Sequence, residues 1–249
     1  MSRIVAVSPH LDDAALSLGG ILSMLAERHE VEVISIFTSD PPHEPSDLAA
    51  WLAGSSDGRI GAIRRAEDMN ALAILGVRHC HLGFEDAVYR RTPSGSWLIN
   101  KEADLYLTAP DCGLVKAVAD AIETVVSNGA PPAAVLGPAG FGAHVDHLAT
   151  AAAVELIVPN SAIRVLWCDM PYTVDPRSGS GLRIALPPSV WATKLAAIKC
   201  YRTQLPWMFP EADDVDAAID AMCAGPADWI VVPLDGAADP IALLASLDA

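Results

Sequence analysis

Val7-Ser8-Pro9-His10-Leu11-Asp12-Asp13-Ala14-Ala15 sets a histidine and two adjacent carboxylates between two apolar segments. Upstream, Ile4-Val5-Ala6-Val7 is an apolar run of strand length. Downstream, residues 16–25 are apolar with small residues and no proline, which predicts a helix. The polar residues therefore fall on a turn from a first strand into a first helix. In an open α/β sheet such turns lie at the carboxyl ends of the strands, where ligands bind. Metal chemistry is the best reason for these residue types at that place.

Outward from this turn the chain alternates strand and helix. Residues 3–8 read as a strand and 12–28 as the helix that follows. Residues 31–37 read as a second strand. Residues 38–58, with Pro41, Pro42 and Pro45, form a long connection expected to hold a short helix at 48–52. A loop of this length inside a compact domain is usually functional or mobile. A helix over 60–75 stops at Gly76, and 78–82 is a third strand. Residues 84–109 are polar and mixed, and Thr92-Pro93-Ser94-Gly95 marks a turn that would close a small hairpin. Then follow a helix over 114–126, a strand over 133–136, the turn Gly137-Pro138-Ala139-Gly140-Phe141-Gly142-Ala143, and an Ala-rich helix to about Val158. A strand over 164–168, helices over 188–201 and 213–222, and a strand over 229–232 complete the pattern. With no repeat and no low-complexity linker, residues 1–249 read as one α/β domain.

Composition removes several classes. Hydrophobic residues make up 52% of 249, enough for a large core. No window of about 18 apolar residues predicts a membrane span, and no secretory signal is recognised at the start. Five cysteines, scattered and without a C-x-x-C pair, point to reduced thiols in a cytoplasmic protein. A net charge of −15 argues against nucleic acid and anionic membranes, which need clustered Lys and Arg. It leaves a small-molecule substrate open. Oligomeric state is not legible.

A second strand-to-helix turn carries His144-Val145-Asp146-His147. If both strands are parallel members of one sheet, the two turns share an edge and converge. His144 and His147, three apart on a first helical turn, share a face. A catalytic zinc site takes three protein ligands from His and carboxylate and leaves a fourth position for water. His10, Asp13 and His147 meet that count. Asp12 is then free as general base toward that water, and His144 is expected beside the metal as a protonated donor with Asp146 orienting or charging it. Taken singly, Asp12 or Asp13 would read as an N-cap, and His144 as a turn histidine. The joint pattern is hard to explain by capping. His79 and His81 alternate in a strand and read as structural or surface groups, with no carboxylate in a fixed turn nearby. Arg64 and Arg65 read as half solvated; Arg64 is the candidate substrate contact, with loop anchoring as the other role.

Pro9-His10-Leu11-Asp12-Asp13 together with His144-Val145-Asp146-His147 resembles the PIG-L/LmbE-like zinc-dependent N-deacetylases. The resemblance extends to Arg64-Arg65-Ala66-Glu67, to Leu82-Gly83-Phe84-Glu85-Asp86, and to the late stretch from Lys194 to Gln204. It implies a Rossmann-like three-layer sandwich with a mostly parallel sheet and the metal site at the carboxyl end of its strands. It implies Zn2+, or another divalent metal, on His10, Asp13 and His147, with Asp12 as base and His144 with Asp146 as the donor pair. The implied reaction removes an N-acetyl group from an amino sugar or its conjugate. The alternatives are an amidase for a larger acyl group and a non-catalytic sugar-binding α/β module. Leu11 stands where the family more often has Pro, and Ala14 where it has an acidic residue. Neither is a ligand or the base, so these departures bear on substrate more than on reaction.

Overall fold

Every residue of the first strand, β1 (Arg3–Ser8), is buried, and its side chains alternate between two separate cores. Ile4 and Ala6 face one helix layer; Val5 and Val7 face the other. A strand covered on both faces is what a continuous apolar run encodes, because neither face can be left to water. The computed structural model describes residues 1–54, 59–157, 162–173 and 181–231. The expected ends at Val158 and Val232, and residues 55–58 of the long loop, lie outside these.

After β1 come α1 (Asp13–Ala26), β2 (Glu30–Ser35), α2 (Asp47–Ala53), α3 (Ile60–Ile74), β3 (Arg78–His81) and α4 (Asp104–Leu107). The second half contains α5 (Cys112–Ser127), β4 (Ala134–Pro138), α6 (Val145–Ile157), β5 (Ile163–Trp167), β6 (Gly181–Ala185), α7 (Pro188–Ile198), α8 (Leu205–Met208), α9 (Val215–Met222) and β7 (Ala227–Val231). The described strands form one sheet in the order β3-β2-β1-β4-β5-β7-β6. The first five are parallel; β7 runs antiparallel to both β5 and β6. The chain winds outward from β1 to β3 and then returns to β4 on the other side of β1. That reversal opens a crevice at the carboxyl ends of β1 and β4, the switch point where open α/β sheets bind ligands. Both chemistry-bearing turns leave the sheet there.

One layer packs Leu18 and Leu22 of α1, Leu72 of α3 and Ala197 of α7 on the sheet; the opposite layer packs Val118 and Ile122 of α5 with Ala149 and Ala153 of α6. The three-layer expectation holds. The small residues in α1 have a specific use. A Cβ on Gly20 would lie 2.3 Å from Leu186 and 3.0 Å from Asp228 Oδ2. A glycine inside a helix costs about 1 kcal/mol relative to Ala. Here the missing Cβ lets β7 bring a buried carboxylate against the helix backbone, where Ile21 N–H donates to Asp228 Oδ2 at 2.7 Å.

Three elements were not expected from the sequence, the edge strand β6 and the one-turn helices α4 and α8. The hairpin expected near 92–95 is reduced to a single bridge between Arg91 and Trp97. Among the described residues, no helix is long and apolar enough to cross a membrane.

Candidate metal centre and cleft

The first turn is tied by Ser8, whose Oγ donates to the His10 carbonyl at 2.7 Å and accepts from Ala14 N–H at 3.1 Å. Asp12 occupies the N-cap position of α1, yet its side chain makes no capping bond. Capping is therefore not what Asp12 does. Its carboxylate lines an open cleft together with His10, Asp13, His144 and Arg64. Burial raises the Asp12 pKa; Arg64, 3.7 Å away, offsets part of that, and neighbouring Asp13 adds to it. A more basic carboxylate than usual suits proton abstraction near neutral pH.

His10, Asp13 and His147 converge, with ligand atoms all within 4.8 Å of one another. Asp13 Oδ2 lies 3.1 Å from His10 Nδ1 and 3.2 Å from His147 Nε2. Donors about 2.1 Å from a tetrahedral centre would stand roughly 3.4 Å apart, close to these separations. His147 Nε2 is buried and has no hydrogen-bond partner among the described residues. The far nitrogen of each histidine rests on a buried carboxylate. His147 Nδ1 meets Asp169 Oδ1 at 2.6 Å, and His10 Nε2 meets Asp146 Oδ2 at 3.2 Å. With those nitrogens donating, the inner ones present lone pairs, the usual arrangement around a metal-binding histidine. The residues fit a divalent cation.

Electrostatics agree. Burial opposes charge on both histidines, but Asp13 and Asp146 raise the His10 pKa well above its usual range, and Asp13 and Asp169 raise His147 to about 9. Burial also opposes ionisation of Asp13, yet His147 and His10 hold its pKa well below the carboxylate range. This point of the fold favours positive charge, which a proton or a cation can supply.

His144 behaves differently from the expectation of a protonated donor. Burial first, then the neighbouring His10, pushes it down to about 3, so at neutral pH it is an uncharged imidazole. The Asp146 backbone N–H points at its Nδ1 at 3.2 Å, which leaves the proton on Nε2. The Asp146 side chain is not its partner. That carboxylate takes His10 Nε2, the Ala87 N–H at 2.9 Å and the Arg90 guanidinium, and Arg90 and His10 help hold its pKa near 2 against burial. The expected pairing of Asp146 with His144 thus becomes a pairing with His10, because β1 delivers His10 beneath α6.

Arg64 and Arg65 divide the two roles between them. Arg64 lines the cleft, while Arg65 anchors the long loop through the Thr38 carbonyl at 2.8 Å and Asp40 at 2.9 Å. His81 does have a carboxylate: Asp68 of α3 meets its Nε2 at 2.7 Å and also takes the Tyr201 hydroxyl at 2.8 Å. That cluster is reached only through tertiary packing. Asp169, Arg90 and Tyr172 were also missed. Asp169 alone had a signal, a carboxylate just beyond the carboxyl end of a strand on the same sheet edge.

The family model for GlcNAc-PI de-N-acetylase, PIG-L, matches residues 5–158. A 2'-N-acetylparomamine deacetylase of Streptomyces fradiae is 30% identical over 68% of this chain, and the match spans 57% of that relative's length. A 1D-myo-inositol 2-acetamido-2-deoxy-alpha-D-glucopyranoside deacetylase of Corynebacterium diphtheriae is 27% identical, covering 93% of this chain and 85% of the relative. The crystal structure of the zinc-inhibited form of a teicoplanin deacetylase superposes with a TM-score of 0.78 at 29% identity, covering 93% and 98% of the two chains. The family match begins in β1 and runs past the helix bearing Asp146 and His147, so it takes in both turns that build this centre: the chain belongs to the PIG-L family of de-N-acetylases.

Proposed function

We propose that this protein is a metal-dependent hydrolase that removes the N-acetyl group from an amino sugar or amino-sugar conjugate, with the whole chain acting as one domain. The observation that carries the reading is the convergence of His10, Asp13 and His147, their ligand atoms within 4.8 Å of one another, beside an uncapped, burial-raised Asp12. The relatives add the substrate class, since their names specify N-acetylated sugars. A cytoplasmic setting and a small-molecule substrate rather than nucleic acid are in keeping with the charge of −15 and with cysteines that are free among the described residues.

His10, Asp13 and His147 would hold the cation, with Zn2+ the first choice for an imidazole and carboxylate donor set. Such a cation supplies Lewis-acid polarisation and lowers the pKa of a water toward about 7. Asp12 takes a proton from the water that attacks the acyl carbon. His144, uncharged, donates its Nε2–H to the acyl oxygen as charge develops there. Asp12 then returns its proton to the departing amine, which balances the reaction as amide plus water giving acetate plus amine. Asp169 and Asp146 hold the two ligand imidazoles in the tautomers this requires. Arg64, at the cleft wall beside Asp12, is placed to meet a sugar hydroxyl.

The test is acetate release from a panel of N-acetylated glucosaminides and aminocyclitol sugars, with an acyl-length series to separate acetyl from larger groups. Zinc is titrated from below stoichiometry into excess, because a structural neighbour is described in a zinc-inhibited form. Asp12→Ala should retain metal and lose about 10²–10⁴-fold in rate. Release at the wild-type rate would remove Asp12 as base. No release of any acyl group by the metal-loaded wild-type chain would overturn the reaction itself.

A further inference from the structure

The cleft contains a polar group that nothing in the fold uses. Tyr172 lines it together with His10, Asp12, Asp13 and His144. Its ring stands at 73° to the His147 imidazole with centroids 4.7 Å apart, and its centroid is 5.3 Å from that of His144. Tyr106 packs against both rings, with centroids 6.3 Å from Tyr172 and 5.9 Å from His144. Packed tyrosines usually find a partner for the hydroxyl. Among the described residues the Tyr172 hydroxyl has none, although Asp12, Asp13 and Asp86 are near enough to act on it.

The ring is held in place from two sides. Tyr172 lies three residues beyond Asp169, which is fixed by His147 Nδ1 and by the Phe141 N–H at 3.1 Å. The Asp169 carbonyl also accepts from Thr173 N–H at 2.7 Å and Thr173 Oγ1 at 2.9 Å, closing the turn around Tyr172. On the other side the loop before His144 comes too close for a side chain. A Cβ on Gly142 would lie 2.6 Å from Tyr172 Cβ and 2.8 Å from its carbonyl oxygen, at a φ of +79°. Glycine at 142 therefore lets the segment carrying Tyr172 dock on the segment carrying His144. Two uncharged donors, the phenol of Tyr172 and the imidazole of His144, thus line one cleft with ring centroids 5.3 Å apart, beside the ligand His147. Ringed by carboxylates, they are poorly placed to hold a permanent anion. They suit an oxygen that gains charge only transiently beside a cation.

We propose that Tyr172 is a catalytic residue whose O–H donates to the acyl oxygen of the substrate, completing with His144 a two-donor site for the tetrahedral oxyanion. This rests on the amide-hydrolysis reading above. Tyr172→Phe keeps the ring and its packing and removes only the hydroxyl. The expected result is a kcat lower by about 100-fold, the size of effect seen when one oxyanion donor is removed. KM should stay within a few-fold, with bound metal and melting temperature unchanged. Calorimetric affinity for a methylphosphonamidate analogue of the substrate, a tetrahedral mimic, should fall in parallel. Unchanged kcat and unchanged mimic affinity would overturn the proposal. So would a loss confined to KM, which would assign the hydroxyl to sugar binding, or a loss of metal, which would make it structural. Turnover by the wild-type chain separates the two failures. No wild-type turnover defeats the reaction, whereas equal turnover by both proteins defeats only Tyr172.

Discussion

Helix α1 touches two buried clusters of charge, and they differ in one respect. Near its middle, Lys194 and Asp228 are both fully buried. Lys194 Nζ donates to Asp228 Oδ1 at 2.5 Å and lies 3.7 Å from Cys223 Sγ, while Asp228 Oδ2 takes the Ile21 N–H. Burial alone would depress the lysine pKa, but the facing carboxylate raises it, so the ammonium persists. That cluster is closed, with both carboxylate oxygens partnered. About 12 Å away at the helix start, by the rise of 1.5 Å per residue, the Asp13 cluster is open. His147 Nε2, Arg64 Nε, and Arg90 Nε and Nη1 are buried without hydrogen-bond partners. Unsatisfied buried groups cost about 1–3 kcal/mol each unless water or a ligand meets them, so these atoms mark the side of α1 that is open to a further partner. The closed cluster ties β7 and α7 to α1; the open one is where chemistry can occur.

The largest expected effect tests the closed cluster. Lys194→Met leaves Asp228 buried without its counter-charge, and removing one partner of a buried pair costs about 3–5 kcal/mol. Urea denaturation should show that loss, while the activity of the molecules that remain folded stays at the wild-type level. Adding Asp228→Asn should recover much of the stability, because the stranded charge is gone. A single variant as stable as wild type would mean that water reaches Asp228.

Much of this contrast was legible in the sequence, and the remainder shows what periodicity omits. β1 and α1 were readable because a strand buried on both faces and a helix of apolar and small residues leave clear local patterns. The two turns were readable because their polar residues interrupt those patterns. The second strand was expected to reach Phe37, and its ladder does continue there, with Ile36 N–H to the Ser8 carbonyl and Phe37 N–H to that of Pro9. β6 was not readable: it is an edge strand, half exposed, without strong alternation. The Arg90–Asp146 and Asp68–His81 bonds join residues far apart in sequence, so no local spacing encodes them, whereas Asp169 was marked only by its place just beyond a strand end. The lowered pKa of His144 was not readable for a related reason. It depends on burial and on two other histidines brought close by the fold, not on its own neighbours in the chain. Arg64 and Arg65 were hard to tell apart because adjacent helix residues diverge by about 100°, and only the packing of α3 decides which one meets the cleft.

The second prediction asks what fills the open cluster when metal is removed. In the chelated protein His147 titrates near 9 against about 6.5 when unfolded, so the folded state binds the extra proton. A raised histidine contributes stability that is complete below the unfolded pKa and is lost as pH rises through the folded one. The chelated protein should therefore lose on the order of 2 kcal/mol between about pH 6.5 and 9. Metal-loaded protein should show no such fall, because deprotonated ligands favour the cation as pH rises. Parallel pH profiles for the two forms would place the bound metal elsewhere.

The smallest effect concerns Asp169, which belongs to both kinds of cluster. Like Asp228 it is fully buried and takes a backbone N–H, from Phe141. Unlike Asp228, its other oxygen holds an imidazole whose far nitrogen is unpaired. If its role is structural, Asp169→Asn should behave as a near-isosteric change felt mainly in melting temperature. If it orients and enriches His147 as a ligand, the amide oxygen still accepts from Nδ1–H, but the negative charge is lost, and so is the Phe141 N–H bond, because an NH2 group cannot accept it. Metal affinity should then fall about 10–100-fold, the range for losing a partner of a ligand histidine. Competition with a chelator of known affinity reads this directly, without reference to turnover. A tenfold or greater loss of affinity in the folded protein would assign Asp169 to the metal, whatever the fall in melting temperature from the lost Phe141 bond. An unchanged affinity with a lowered melting temperature would place it with Lys194 and Asp228, as a brace between the loop at Phe141 and the end of β5.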